Sequence, residues 1–556
     1  MLGMFRRGAP QAREATHEAR VEPRLDTPAA APAAVSDEAV GMRASPIPQV
    51  RRKTRHPNLA RAALRHFKAG QQDRLTGSWG TTPLTADDIV RRHQRVLVAR
   101  SREQCANNDY ARHFLSLVRR NVVGPRGVQL QAQSRDQDGS LDTLANDAIE
   151  RAWREWSRAE NCDVTGRQSL RSLQTSAVTS AARDGEFMFR IVTGRDAGPW
   201  GIALQVIDPQ RCDPDYHEDR MRNGHFIRHS IEFNRFGRPL AYHFTTLHPE
   251  DDVDAYTVGG RSFVRVPASQ IVHGFLPDMV GQKRGLPWTA TALWRLQMLG
   301  GFENAALVNA RVSASKGGFF EWQEGYGPEA DEDEEIFMEA EPGQFQELPA
   351  GVKFNAWQPQ YPSGEFGPFQ KAMLRGIASG LDVTYVNLAN DLEGVNFSSI
   401  RQGTLDEREH WKEMQEWLVE SMLHRVFEAW LPRAVLAGRI RVNGNPLRPD
   451  RLDKYREVEW QPRRWDWIDP NADVKAAVAS KNNLLASPGQ LIRDRGRDPD
   501  TVWKEIGRDI AAMRDANIPD EYIQIAMGMQ LASQGDVQDI QFTEEDEGAK
   551  GGQAGE

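Results

Sequence analysis

Cysteine is scarce in this chain, and the short motifs of several enzyme classes are missing. Cys105, Cys162 and Cys212 are scattered among 556 residues, with no C-x-x-C pair and no clustered histidines. We therefore expect neither a disulfide framework nor a zinc site, as in a protein of a reducing cytoplasm. The runs G-x-x-x-x-G-K-[ST], H-E-x-x-H and G-x-S-x-G do not occur, which argues against an ATP-driven motor, a zinc protease and a serine hydrolase. The sequence predicts no catalytic residue, no metal ligand and no cofactor.

Long apolar runs are missing as well. No segment approaches the roughly 20 apolar residues that cross a bilayer, and Arg6 and Arg7 are not followed by the apolar stretch of a secretory signal. Apolar residues make up 39% of the chain and the mean hydropathy is -0.61, which leaves room for disordered ends at residues 1–55 and 531–556. We expect a soluble protein without a membrane partner.

Positive charge is concentrated near the amino terminus. Residues 1–100 hold 18 Lys or Arg against 9 Asp or Glu, a balance of +9, so with a net charge of -8 the remaining residues carry -17. The basic part is either an arm that touches nucleic acid or an acidic partner, or a solvated linker with a helix face. An acidic body is poorly suited to gripping duplex phosphates. If the protein meets DNA, we expect it to hold the DNA loosely.

A mixed pattern of helices and strands before residue 286 indicates an α+β body. Helical spacing extends from about Ala86 to Val118 and again from Leu144 to Ala159. Apolar and polar residues then alternate over 227–233, which predicts one strand, and a turn leads into a second strand over 240–246.

A long helix, an insertion and a return helix are predicted in the middle of the chain. Apolar residues recur at helical spacing from Pro287 to Ala314 and from Pro368 to Leu381. Between these stretches lie the strand-like segment Gly318–Trp322 and an acidic run over 329–341. The acidic run either protects a strand edge from aggregation or forms a dedicated partner site. The order indicates a helical hairpin whose tip projects from the body.

A polar loop and a third helix follow the hairpin. The loop extends to Ser399, and helical spacing then runs from Gln402 to Leu431, ended by Pro432. Ser398 and Ser399 either cap this helix or contact DNA, and Ser399 is a suitable N-cap. Each apolar stripe by itself fits an ordinary core, whereas the three helices together favour burial between copies of the chain around an axis.

Eight short segments carry a family resemblance. In chain order they are Arg100-Ser-Arg102, Asn107-Asn-Asp-Tyr-Ala111, Asn121-Val-Val-Gly124, Asp184-Gly-Glu186, Leu204-Gln-Val-Ile-Asp208, Ile271-Val-His273, Gln282-Lys-Arg-Gly285 and Asn396-Phe-Ser-Ser-Ile-Arg401. In these segments and their order the chain resembles phage portal proteins of the lambda type, the rings through which double-stranded DNA enters and leaves a viral head. The resemblance covers residues 90–405 closely. Phe397 departs from the pattern, since many relatives carry tyrosine there.

The resemblance implies an α+β portal fold with a mixed α/β wing, a long helical stem, a small β-containing clip and a helical crown. The implied parts are a disordered basic arm (1–55), the wing (56–286), a stem helix (287–316), the clip (317–362), a second stem helix (363–382), a tunnel loop (383–401), a long helix (402–437), a return to the wing (438–486), the crown (487–530) and a disordered tail (531–556).

The resemblance also implies a function without catalysis. A dodecameric ring at one capsid vertex would package and eject double-stranded DNA without sequence specificity. The tunnel-loop residues implied to face the DNA are Asn387, Asn390, Asn396, Ser398, Ser399 and Arg401. The clip residues implied to dock the terminase large subunit and the head–tail adaptor protein are Asp331, Glu332, Asp333, Glu334 and Glu335. Major capsid and scaffold proteins are further implied partners, in the virion and, during assembly, in the host cytoplasm. The alternative is a metal-dependent head-assembly enzyme or nuclease, which the lack of a metal-ligand cluster in the sequence disfavours.

Overall fold

The computed structural model describes most of the chain between residues 80 and 526. The described residues are 80–221, 223–246, 263–314, 318–323, 351–356, 366–394, 396–465 and 470–526, with the single positions 74, 78 and 364. The predicted disordered segments 1–55 and 531–556 lie outside these residues.

Helices and strands both occur throughout, which confirms the α+β class. Up to residue 275 the elements are α1 (Ala86–Asn107), α2 (Asp109–Val118), β1 (Gln129–Ala132), α3 (Thr143–Trp156), α4 (Ala159–Cys162), α5 (Leu170–Asp184), β2 (Glu186–Thr193), β3 (Ile202–Ile207), β4 (Phe226–Arg228), β5 (Ile231–Phe233), β6 (Pro239–Thr245), β7 (Phe263–Pro267) and β8 (Ile271–Phe275). The elements after residue 275 are α6 (Leu293–Ala314), β9 (Gly318–Trp322), β10 (Val352–Ala356), α7 (Phe366–Gly380), α8 (Tyr385–Ala389), α9 (Phe397–Leu418), α10 (His424–Leu436), β11 (Arg441–Val442), β12 (Asn445–Pro446), β13 (Val458–Gln461), α11 (Pro470–Asn482), α12 (Pro488–Arg493), α13 (Pro499–Asp515) and α14 (Asp520–Ala526).

The paired strands of the described residues are antiparallel. Strands β3, β2 and β8 form one sheet in that order, and β4, β5, β6 and β7 form a second. Strand β13 pairs with β1, with Leu130 opposite Trp460. The chain after α10 therefore returns to the amino-terminal helices and strands.

Tryptophans fill the centre of the core. Trp153 and Trp156 of α3 are buried together with Trp430 of α10 and with Trp200. The Trp153 and Trp430 ring centroids lie 5.0 Å apart, edge to face, and the Trp200 and Trp430 rings stack at 6.2 Å. Aromatic pairs in these geometries stabilise a core beyond the area that they bury. This packing joins the amino-terminal helices to the long helix, which confirms the predicted stripe of α3.

The strand predicted over 227–233 is wrong, because the chain reverses in its middle. His229 and Ser230 have φ angles of 53° and 63°, and Arg228 pairs with Ile231 across the turn. Two distant hydrogen bonds hold this left-handed pair: His229 Nδ1 lies 2.9 Å from Pro214 O, and Ser230 Oγ donates to Asp213 O at 2.7 Å. Non-glycine residues take this conformation only when the surroundings fix them there.

The bounds of two predicted helices differ in the structure. Helix α6 begins at Leu293 and not near Pro287, because Trp288 N donates to Ala182 O of α5 at 3.1 Å and the chain turns up to residue 292. Helix α9 begins at Phe397, and α10 continues through Pro432 to Leu436. A proline costs a helix one hydrogen bond, but the residues around it are buried and hold the last turn in place.

Candidate functional site

The segment predicted to face DNA, residues 383–401, is only partly a loop. It contains α8, where Asn387 N donates to Thr384 Oγ1 at 3.4 Å as an N-cap bond. Asn390 ends α8 in a left-handed conformation with φ of 52°, which asparagine tolerates better than most residues. Because α9 begins at Phe397, residues 397–401 are helical.

Glu407 of α9 holds this segment in place. Its Oε2 accepts hydrogen bonds from Thr384 N at 3.2 Å, from Thr384 Oγ1 at 2.6 Å and from Asn387 Nδ2 at 2.6 Å. Its Oε1 accepts from Trp411 Nε1 at 3.1 Å. The Asn387 backbone O lies 2.9 Å from His113 Nε2. Asn387 is therefore engaged within the protein by both its side chain and its backbone, and it positions the segment.

The other predicted polar residues are exposed. Asn390, Asn396, Ser398 and Ser399 all face solvent. Asn396 is the N-cap of α9, and its side chain makes no cap hydrogen bond. The expectation that Ser399 caps the helix is wrong, because the first helical residue is Phe397 and both serines lie inside the first turn. Contact between these residues and DNA stays a prediction.

Charged side chains near the segment are paired. Arg401 Nη2 lies 3.4 Å from Asp473 Oδ1 of α11, and Lys371 Nζ of α7 lies 3.2 Å from Asp391 Oδ2. Tyr385 donates its hydroxyl to Asp391 at 2.6 Å, and this bond, together with Lys371, lowers the pKa of Asp391 to about 2. The segment thus presents neutral amides and hydroxyls to solvent beside charges that are largely compensated.

The predicted docking acids, Asp331 to Glu335, lie outside the described residues. The strands on either side of them, β9 and β10, form an antiparallel ladder in which Trp322 pairs with Val352 and Gly318 with Ala356. The acids therefore belong to the connection between two paired strands. Their role in docking stays a prediction.

Two of the eight short segments meet in the interior. Glu186 and Arg284 are both 0% exposed, and Arg284 Nε lies 2.9 Å from each carboxylate oxygen of Glu186. The Arg284 Nη atoms donate to Cys212 O at 2.6 Å and to Pro209 O at 3.0 Å. Buried charges are tolerated when they are paired and hydrogen-bonded. We call Glu186, Arg284 and their hydrogen-bond partners the junction.

Further donors complete the junction around Glu186. The carboxylate accepts from Gln94 Nε2 at 3.1 Å, from Gly285 N at 3.0 Å and from His273 Nε2 at 3.0 Å. Burial alone would raise the pKa of Glu186, but the charge of Arg284 and the hydrogen bond from His273 outweigh it and hold the pKa at about 2. Burial also lowers the pKa of His273. The junction therefore holds an ionised carboxylate, a guanidinium and a neutral imidazole.

Glycines allow the two segments to approach each other. A Cβ on Gly285 would lie 2.0 Å from Gly185 O, and a Cβ on Gly185 would lie 2.4 Å from Leu286 C. Gly185 also ends α5 with φ of 93°, a region open to glycine without strain. Backbone contact thus explains why glycine stands at both positions.

Arg102, from another of the segments, bridges two carboxylates beside the junction. Its Nε lies 2.9 Å from Asp184 Oδ1, and its Nη2 lies 2.9 Å from Asp208 Oδ1. Asp184 is 1% exposed. The bridge joins α1 to the end of α5 and to the end of β3.

Asn121 lies in a short π-helix, Arg119–Val123, that follows α2, and it connects this helix to the carboxyl-terminal half. Its backbone O accepts from Gln415 Nε2 of α9 at 2.8 Å, and its Oδ1 accepts from Trp465 Nε1 at 3.0 Å. The segments that carry the resemblance therefore make polar contacts between elements that are far apart in the sequence, and several of these contacts are buried.

Sequence reasoning missed three polar residues that make these contacts, namely Gln94, Glu407 and Gln415. Each stands on the apolar face of a helix, where it is buried. A single polar residue at helical spacing within an apolar stripe was the available signal. Burial of such a group requires hydrogen-bond partners, but the sequence does not say which ones.

Among the described residues, no group of three or more His, Cys, Asp or Glu side chains is placed to hold a metal ion. The helices of these residues include none with the length and apolar character that a membrane crossing needs. Cys105, Cys162 and Cys212 are free and buried.

Comparison with known proteins identifies the family. Residues 72–415 match the family model "Phage portal protein, lambda family". The chain is 34% identical over 491 residues to the "Probable portal protein" of Halomonas phage phiHAP-1, covering 87% of this chain and 92% of that protein. It is 20% identical over 460 residues to "Portal protein B" of Escherichia phage lambda, covering 76% of this chain and 84% of that protein.

Solved structures give a weaker likeness. The "Neck of empty GTA particle computed with C6 symmetry" matches at 15% identity with a TM-score of 0.39, covering 73% of this chain and 94% of that chain. The low TM-score leaves the assignment to the sequence matches. The family model covers more than half of the chain, and the phiHAP-1 relative is aligned along most of its length. The chain belongs to the lambda family of phage portal proteins.

Proposed function

We propose that twelve copies of this chain close into a ring at one vertex of a phage capsid, and that double-stranded DNA is packaged and ejected through its centre. The family membership supports a portal in the virion. The observation that best supports assembly into a ring is the uncovered apolar surface of α6.

Helix α6 has apolar side chains on more than one face. Trp294, Met298 and Val308 are 72%, 51% and 57% exposed, and Gly301 and Ala305 between them are exposed as well. These five residues follow one another at spacings of four, three, four and three, so they form one stripe along the helix. Such a stripe is typical of helices that pack against another helix. We call these five residues the α6 stripe.

The chain's own helices cover other faces of α6. Phe302 contacts Phe366 and Phe369 of α7, with ring centroids 5.4 and 5.1 Å apart. Gln297 accepts from Gln104 Nε2 of α1 at 2.6 Å. Among the described residues the α6 stripe stays uncovered, and a helix of a neighbouring copy is the occupant that we propose.

Residues 383–401 are proposed to face the channel. The exposed side chains of Asn390, Asn396, Ser398 and Ser399 are suited to weak hydrogen bonds with phosphates. Glu407 and Asn387 would fix the height of the segment, and Arg401 would supply local attraction that Asp473 moderates. An acidic ring around the duplex disfavours deep binding minima, so the DNA can slide.

The remaining parts of the proposal concern partners. Residues 317–362 would form the docking surface for the terminase large subunit and the head–tail adaptor, with Asp331–Glu335 meeting basic groups. The outer body would contact major capsid and scaffold proteins during assembly in the host cytoplasm. The protein would have no enzymatic activity, and ATP hydrolysis would come from the terminase.

The substitution Met298→Glu tests the ring. Burying a methionine side chain stabilises a contact by about 2 kcal/mol, and a carboxylate in its place would be buried without a partner at every interface of the ring. We expect Met298→Glu to abolish rings in negative-stain micrographs and in native mass spectra. Val264→Glu, which changes a valine that is 46% exposed on β7, is the matched control and should leave the rings intact. Rings of unchanged mass from the Met298→Glu variant would contradict the proposed interface.

A further inference from the structure

The carboxyl-terminal helices enclose an apolar groove. A cavity of about 750 Å³ lies between α11 and α12, with Trp465 beside it. Val474 and Val478 of α11 line it and are 42% and 47% exposed. Leu491 is on its α12 side. A concave apolar surface that is exposed to solvent is typical of a binding groove.

The rim of the groove is mainly basic. Of the described residues, Lys481, Arg495 and Arg497 lie on it together with the acid Asp494. Arg497 is engaged by Glu505 of α13, and Arg495 also has a partner within the chain, so Lys481 is the rim cation on which the argument depends. An occupant with apolar side chains and a negative charge would be complementary to this surface.

The sequence after α14 has this character. Between Asp536 and Glu547 there are six acidic residues and no Lys or Arg. Val537, Ile540 and Phe542 are the apolar residues of the same stretch. Acidic side chains on both sides of spaced apolar ones would match an apolar groove with a basic rim.

The length of the connection allows this stretch to reach the groove. Helix α13 contacts both α12 and α14, and its 17 residues are about 25 Å long. Helix α14 ends at Ala526. Nine residues, 527–535, separate Ala526 from Asp536, and the ten Cα-to-Cα steps between them span up to about 33 Å when extended. The tether is therefore longer than α13, the helix that connects α12 to α14.

We propose that residues 536–547 dock in the groove between α11 and α12, with their apolar side chains against Val474 and Val478 and their acids at the basic rim. Contacts of described residues tie the groove to the rest of the protein: Trp465 donates to Asn121, and Asp473 of α11 pairs with Arg401. This inference goes beyond the ring function and does not depend on it.

Disulfide trapping in the full-length chain tests the proposal. The double variant Ile540→Cys with Val478→Cys is oxidised with copper phenanthroline, and the matched control combines Ile540→Cys with Phe236→Cys, at a turn residue that is 78% exposed. The three native cysteines are buried, so they should form few disulfides with the introduced cysteines. A docked tether has a high effective concentration, so we expect the 540–478 bond to form at least about tenfold faster than the 540–236 bond. Equal rates would overturn the proposal.

Charge reversal gives a second readout. Replacing Glu544, Glu545, Asp546 and Glu547 by lysine should slow the 540–478 bond about fivefold or more at low salt, because rim attraction is lost. Adding Lys481→Glu to that variant should restore part of the rate. A product at the mass of two chains that contains the 540–478 bond places the segment in the groove of a neighbouring copy and supports docking. A dimer formed by Val478→Cys alone, with no bond to residue 540, shows a second copy in the groove and contradicts the proposal.

Discussion

Replacing Arg284 with methionine removes the cation of the junction and leaves its partners in place. Arg284 and Glu186 are both 0% exposed. Methionine has a similar length but donates no hydrogen bond. The Glu186 carboxylate would keep its bonds from Gln94, Gly285 and His273 and lose its countercharge.

The expected loss of stability follows from these contacts. Breaking a buried ion pair by removing one partner costs about 3–5 kcal/mol. Each backbone carbonyl left without a donor costs about 1–3 kcal/mol, and Cys212 O and Pro209 O lose Arg284 as their donor. These costs overlap, because a side chain can shift or water can enter. We expect the free energy of unfolding to fall by about 5 kcal/mol for Arg284→Met.

Urea unfolding followed by tryptophan fluorescence measures this loss. With a slope of about 3 kcal/mol per molar urea, the midpoint should fall by about 1.7 M. Arg448→Met is the control, because Arg448 also pairs with a carboxylate, Asp450 at 2.7 Å, but at the surface. Surface pairs contribute little, so the control midpoint should not move measurably.

A second variant separates the lost pair from a general packing defect. Changing Glu186 to leucine together with Arg284→Met leaves no unpaired charge in the interior, so the double variant should unfold at higher urea than Arg284→Met. An Arg284→Met midpoint no lower than that of Arg448→Met would refute the reasoning. A double variant less stable than Arg284→Met would refute it as well.

Three further predictions follow from single contacts. Gly285→Ala should lower the free energy of unfolding by at least about 2 kcal/mol, because its Cβ would lie 2.0 Å from a backbone oxygen; Gly507→Ala, in open space on α13, should be neutral or stabilising by urea unfolding. Burial raises the pKa of Glu150 from 4.5 to about 7, so between these pH values the folded state binds a proton that the unfolded state does not. The free energy of unfolding should therefore fall by roughly 2–3 kcal/mol as the pH rises from 4.5 to 7. Glu150→Gln should abolish this fall, and a variant with the same pH profile as the original chain would contradict the prediction. Ser398→Asp with Ser399→Asp should leave rings intact, since acids suit the first turn of a helix, yet reduce the DNA packaged per head; normal DNA content would contradict the channel assignment.

The helices were the most predictable part of the fold. Apolar spacing gave the stripe of α3, the buried face of α6 and most of the long helix, because neighbours at three and four positions share a helix face. The bounds were less predictable. The start of α6 depends on a hydrogen bond from Trp288 to α5, and the end of α10 depends on packing around Pro432. The reversal at His229 depends on bonds to Pro214 and Asp213.

The candidate site was predictable as a segment and not as a set of contacts. Residues 383–401 were recognisable as polar and as lying between helices. The hydrogen bond from Asn387 to Glu407 was not predictable, because the two residues become neighbours only when α7, α8 and α9 pack together. The exposure of the α6 stripe was also hidden, since Trp294 and Met298 are as apolar as their buried neighbours.

By itself, the sequence determined the α+β class, the order of the helices and the family, since these depend on local spacing and on short segments read in order. Only the tertiary structure decided what those segments do. Glu186 and Arg284 are separated by 98 positions in the chain, and their charges are stable in the interior only because the fold brings them and their hydrogen-bond partners together. Which apolar face of α6 is covered within one chain, and which stays exposed, was likewise decided by packing.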